Sequence, residues 1–180
     1  MSGGGHGTKG EQQVTISRRS AATARVLAAV VLAIGLSTAA SGHHSYAMYD
    51  ASIYRLFTGV MVRVVPNAAH FEMHFVPLNE ERTALVRDEK GEPLVWVVQM
   101  ESAARAYEHG ITRESFPQGT VVSMGVHPRR DGKPAGDRGE SGLFQCPKGK
   151  TPAPGKHCDS VEGSKAFGEG ELPPEGPVAR

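Results

Sequence analysis

Several common functional classes are missing from this chain. Aromatic residues fill only 6% of its 180 positions, with a single tryptophan, and there are two cysteines. No Gly-x-Ser-x-Gly, no Gly-x-x-x-x-Gly-Lys and no His-Glu-x-x-His occurs. That removes the serine-hydrolase elbow, the nucleotide phosphate loop and the helical zinc-protease motif. The formal net charge is +1, so the chain lacks the basic footprint of a nucleic-acid binder. No internal repeat is visible. No apolar run approaches the roughly 20 residues of a transmembrane helix.

What is present begins with an export pattern. A polar start carries Arg18, Arg19 and Arg25. An apolar run, Val26 to Leu36, follows, and then the small residues of "STAASG". Basic segment, short apolar segment and small-residue exit are the parts of a secretory signal; an uncleaved anchor is the alternative. Residues 1–42 are therefore read as a signal peptide, and the protein as periplasmic or secreted, meeting the membrane only during export. Loss of Lys9, Arg18, Arg19 and Arg25 with Glu11, out of 20 basic and 19 acidic residues, leaves a net charge of −2. Nucleic acid is not an expected partner of such a chain.

Cleavage after Gly42, with small residues at positions one and three before the cut, makes His43 the first residue. Its α-amine and imidazole then offer two nitrogens to one ion, and His44 a third. Tetragonal nitrogen coordination suits Cu(II). Cleavage after Ala40 leaves "SGHHSY" instead, with a histidine at position three, an arrangement that also holds copper. Downstream, "HFEMHFV" alternates with period two. Phe71, Met73 and Phe75 face one way, and His70, Glu72 and His74 the other. Residues two apart on a strand face are roughly 6.6 Å apart. Adjacent members of His70, Glu72 and His74 can thus share an ion, or the face is simply solvated. His109 reads as a helix-end cap and His127 as a loop residue.

The core reads as mainly β, a five-stranded barrel of the oligonucleotide/oligosaccharide-binding (OB) type over residues 43–146. Strands are expected over Tyr54–Val65, His70–Val76, Leu94–Met100, Thr120–Val126 and Leu143–Cys146. A bulge or bend is expected at Gly59, and Trp96 is expected to anchor the core. Ser102 caps a short helix that ends at Gly110. A helix between strands three and four is the barrel's usual order. Cys146 and Cys158 close a Gly/Pro-rich loop and read as a disulfide; a metal set with His157 is the alternative. From Pro147 to Arg180 apolar residues are few, and the composition reads as mostly disordered.

These motifs, taken in order, resemble a family of small exported bacterial proteins of uncharacterised function. The matching residues are "HHSY" at His43–Tyr46, "GVMV" at Gly59–Val62, "WVVQME" from Trp96, "HGIT" from His109, "GTVV" from Gly119 and the Asp-Gly loop at Asp131. The turn "PNAAH" departs from the family's Asn-Pro-His order. The resemblance implies an exported β-barrel and no established activity. Three functions follow as expectations. The first is a non-enzymatic binding protein with copper as ligand, and the second an accessory module for a periplasmic or membrane partner. The third is a mono-copper redox enzyme.

Overall fold

A computed structural model describes residues 46–172, 174 and 176–177. His43, His44 and the expected signal peptide lie outside the described residues.

The strand pattern of the sequence closes into a five-stranded barrel. The strands are β1 (Ile53–Val65), β2 (Phe71–Pro77), β3 (Trp96–Met100), β4 (Val121–Pro128) and β5 (Ala135–Asp137). Helix α1 (Ala103–Glu108) stands between β3 and β4. β1 is long enough to serve two neighbours: Gly59–Val65 pairs with β2, and Arg55–Val60 pairs with β4. β2 pairs antiparallel with β3, β3 parallel with β5, and β5 antiparallel with β4. That circuit leaves none of the five strands without two neighbours and fixes the OB topology.

The inward residues follow the alternation. Phe71, Met73 and Phe75 are fully buried, as are Val98, Val122, Met124 and Val126. Trp96 joins this core and packs against Phe57 with ring centroids 4.5 Å apart. Ser102 caps α1 through the Arg105 N–H, and Gly110 takes φ +73 just beyond its end. The segment then drops Ile111 and Phe116 into the core.

The structure moves three features of the sequence reading. The bulge in β1 falls between Met61 and Arg63. Gly59 instead marks a close approach, because a Cβ there would stand 2.5 Å from the Phe75 ring and 2.6 Å from the Val76 carbonyl oxygen. The fifth barrel strand is Ala135–Asp137, inside what reads as a polar loop. Leu143–Gln145 (β6) lies outside the circuit and pairs with Val122–Met124 of β4, opposite β1. Finally, much of the segment after Pro147 is built onto the barrel. A 3₁₀ turn at Cys158–Ser160 precedes β7 (Lys165–Phe167), which pairs with β6, and β8 (Gly176–Pro177) pairs with the start of β1. Its order comes from the disulfide, backbone pairing and the Phe167 ring on Phe116, centroids 4.6 Å apart. A count of apolar residues does not register the first two. Among the described residues no helix is long and apolar enough to cross a membrane.

Candidate functional site

Alternation that buries Met73, Val98 and Val126 turns their neighbours outward. Registration across four strands then aligns a polar row. Glu72 lies opposite Gln99, Gln99 beside Asp137, and Asp137 opposite His127. The segment leading into β1 covers this row. Tyr49 donates its hydroxyl to Gln99 Oε1 at 2.8 Å, and Tyr46 sets its ring edge-on to His70, centroids 6.4 Å apart. Burial pushes both phenol pKa values up, and the Asp137 charge pushes the same way.

The strand-borne residues singled out by sequence meet different fates. Glu72 and His74 come together at 3.0 Å. The Arg63 Nε–H points at Nδ1 of His74 at 3.3 Å, so Nε2 carries the proton that is donated to Glu72. Both ring nitrogens are thereby engaged, and His74 is buried rather than on an open face. His70 stands apart, against Tyr46. Among the described residues no three His, Cys, Asp or Glu side chains converge as a metal set. His109 does cap α1, and its Nδ1–H also donates to Glu101 Oε1 at 3.0 Å.

Sequence reasoning missed Asp137, Glu101 and Arg138. They line a cleft of about 550 Å³ together with Tyr46, Arg105 and His109. The Arg138 guanidinium is buried. It donates to Glu101 Oε2 at 2.9 Å and to the Ser141 carbonyl at 2.8 Å. Burial alone would raise the Glu101 pKa. The Arg138 charge, with hydrogen bonds from His109 and Arg138, outweighs it and holds the carboxyl below the usual range. Asp137 is the opposite case. It is 7% exposed, and burial pushes its pKa up against the Gly139 N–H and the charges of His127, Arg138 and His70. A carboxyl kept costly to ionise beside a cleft marks a functional candidate.

A second polar cluster fastens the disulfide loop. Cys146 and Cys158 are bonded, Cα atoms 5.0 Å apart. The Cys158 N–H donates to Ser123 Oγ at 2.8 Å, Ser123 and Thr58 hydroxyls meet at 2.7 Å, and Thr58 Oγ1 lies 2.8 Å from His157 Nδ1. The two hydroxyls and the His157 ring thus form one continuous hydrogen-bonded chain from the Cys158 N–H. Thr58 and Ser123 are fully buried, which makes this a clamp and not a nucleophile pair. Arg82 reinforces it from outside, donating through Nε and Nη2 to the Lys156 carbonyl.

Burial lowers the His157 pKa, as does the Arg82 charge, with Asp159 opposing. The folded state thus binds a proton less readily than the unfolded one. Stability from this group is present above the unfolded value of about 6.5 and is lost as pH falls from there toward the lowered folded value. Urea midpoints are expected to decline below about pH 6.5, and His157→Gln, which keeps a side chain able to accept from Thr58, is expected to flatten that decline. An unchanged slope in the variant would remove His157 as its source.

No curated protein and no solved structure matches the chain. The model of one family does match, over residues 30–138, and its last residue directly follows β5. With the barrel strands all inside that match, the chain belongs to a family of unknown function, DUF6152.

Proposed function

We propose that this is an exported, periplasmic, non-enzymatic binding protein that takes a transition-metal ion, copper above all, at the histidines of its mature N-terminus. The observation that carries the reading is the position of Tyr46. It lines the cleft beside Asp137 and touches His70. In sequence, His44 and His43 precede it by two and three residues. An N-terminal histidine supplies amine and imidazole nitrogen together, the donor set copper favours. The Cys146–Cys158 disulfide agrees with an oxidising compartment.

The test has two parts. Intact mass of the exported protein is expected to show a chain that begins at His43, or at Ser41 if the cut falls after Ala40. Calorimetric titration with Cu(II) is then expected to show tight one-to-one binding that the double variant His43→Ala, His44→Ala lowers by at least about tenfold. Equal affinity in the two proteins would end this reading.

A further inference from the structure

The cleft beside β5 carries more negative charge than its own cations absorb. The carboxylates of Glu101, Asp137, Glu140 and Glu169 line it, against the guanidinium groups of Arg105 and Arg138. Both cations are already committed. Arg138 pairs with Glu101 at 2.9 Å, and Arg105 pairs with Glu108 at 3.0 Å. Asp137, Glu140 and Glu169 make no ion pair among the described residues.

Asp137 is the buried member of these three, at 7% exposed. A carboxylate so far from water ordinarily has a cation or several donors beside it. Here Oδ2 accepts from the Gly139 N–H at 3.1 Å, and among the described residues Oδ1 has no hydrogen-bond partner. The alternation of β5 turns Gly136 toward Val126 and Asp137 toward the cleft. The cleft floor thus presents a carboxylate oxygen that lacks both a donor and a counter-charge. Tyr46 supplies an aromatic side and is 51% exposed. Burial raises its phenol pKa, and the Asp137 and Glu101 charges raise it further. The ring therefore sits in negative potential, and an aromatic face attracts a cation.

Glu140 and Glu169 stand exposed at the rim. The segment after β7 delivers Glu169. A Cβ at Gly168 would touch His109 Nδ1 at 3.4 Å and Arg138 Nη1 at 3.6 Å, and the Gly142 N–H donates to the Glu171 carbonyl at 2.9 Å. The floor thus lies within the family match, and the rim follows its last residue, 138. Among the described residues no three donors converge on a point as a metal set. Negative charge spread from floor to rim suits a cation whose own charges are spread along a chain.

We propose that this cleft binds a linear organic polyamine, with one ammonium group on Asp137 Oδ1 beside the Tyr46 ring and the next at the Glu140 and Glu169 rim. An ammonium group brings three donors and a positive charge together, which are what the Asp137 oxygen lacks. The site is separate from the N-terminal histidines and does not depend on a metal there.

Calorimetric titration of the full exported chain with spermidine tests this, with n-butylamine as the single-ammonium comparison. Spermidine is expected to bind one-to-one and at least about tenfold more tightly than butylamine, which cannot reach floor and rim at once. Asp137→Asn keeps an oxygen for the Gly139 N–H and is expected to lower spermidine affinity by at least about tenfold. Glu169→Gln is expected to lower it about threefold and to leave butylamine unaffected. Glu162→Gln, an exposed carboxylate outside the cleft, is expected to change neither. In the unmodified protein the Gly139 amide and Tyr46 ring resonances are expected to shift saturably with spermidine, which decides the matter if a variant fails to fold. Absence of that shift, or equal spermidine affinity in Asp137→Asn, would overturn the proposal. So would the same shifts with Mg²⁺ at the same concentration, because the cleft would then be only a diffuse negative surface.

Discussion

Replacing Glu101 with alanine is expected to cost about 3 kcal/mol of stability at neutral pH, among the larger effects a single change can have in this fold. The reason lies in what it strands. The Arg138 side chain is 3% exposed and, among the described residues, Glu101 is its one carboxylate partner, at 2.9 Å. Its Nη1 is satisfied by the Ser141 carbonyl, and among the described residues its Nε has no hydrogen-bond partner. Without Glu101 a buried cation keeps a single neutral acceptor, and leaving one member of a buried pair alone costs more than the pair is worth. The His109 Nδ1–H loses its acceptor in the same step. Urea denaturation of Glu101→Ala and of the double variant Glu101→Ala, Arg138→Met separates the terms. The double variant is expected to recover most of the loss, because methionine fills volume without charge. A single-variant cost under about 0.5 kcal/mol would show that the pair holds nothing together. The pH dependence has a definite sign. The folded Glu101 pKa is depressed, so its contribution is present above the ordinary carboxylate value and is lost as pH falls through the folded one. This window opens at the ordinary carboxylate value, below the imidazole value at which that of His157 opens.

The sequence made the barrel legible where side chains report on both faces of a strand. β1, β2 and β4 carry β-branched or aromatic residues at alternate positions. α1 carries a cap at Ser102 and a terminating glycine at Gly110. β5 has no such mark. It is Ala-Gly-Asp, and it is a strand because β3 and the end of β4 each offer it backbone partners. A Cβ at Gly136 would stand 2.1 Å from Val126 Cγ1, so the glycine that makes the segment read as loop is what lets it approach β4. Lys165–Phe167 is hidden in the same way, by pairing supplied from β6.

The candidate site shows the same division. His70, Glu72 and His74 stand out because they alternate in sequence with period two. Nothing local predicts that Arg63, on the facing strand, takes up the His74 ring. Nor does anything local place Asp137 opposite His127. Those two are ten residues apart, across a Gly-Pro-rich loop that reads as solvent-exposed, and only the register of β4 and β5 joins them. Glu101 and Arg138 are further apart still, and the barrel's closure through the β3–β5 pair brings them together. The family match supports a corresponding partition of the chain. It stops at residue 138, so β1–β5 and Asp137 fall inside it, while the disulfide and the clamp residue His157 fall outside.

Breaking the disulfide tests that partition. Cys146→Ala with Cys158→Ala is expected to cost about 3 kcal/mol, the chain-entropy value for a loop of this size, with Cys146 and Cys158 separated by 12 positions. The loss should be local. β6 is three residues long and pairs with β4 through Val122–Met124; β7 rests on β6 alone among the named strands. What pins the far end of this extension is Cys158, through its bond to Cys146 and its N–H to Ser123 Oγ. Without the covalent link the relay through Ser123, Thr58 and His157 must hold the segment by hydrogen bonds, each worth about 1 kcal/mol net. Amide exchange is therefore expected to accelerate at Leu143–Gln145, Cys158–Ser160 and Lys165–Phe167 while β1, β2 and β3 keep their protection. Adding His157→Gln to the disulfide-free protein is expected to cost more than it does in the bonded protein, since the clamp then carries the segment alone and the two effects stop being additive. Uniform loss of protection across all eight strands would show instead that the extension and the barrel unfold as one unit, and that the disulfide stabilises the barrel directly.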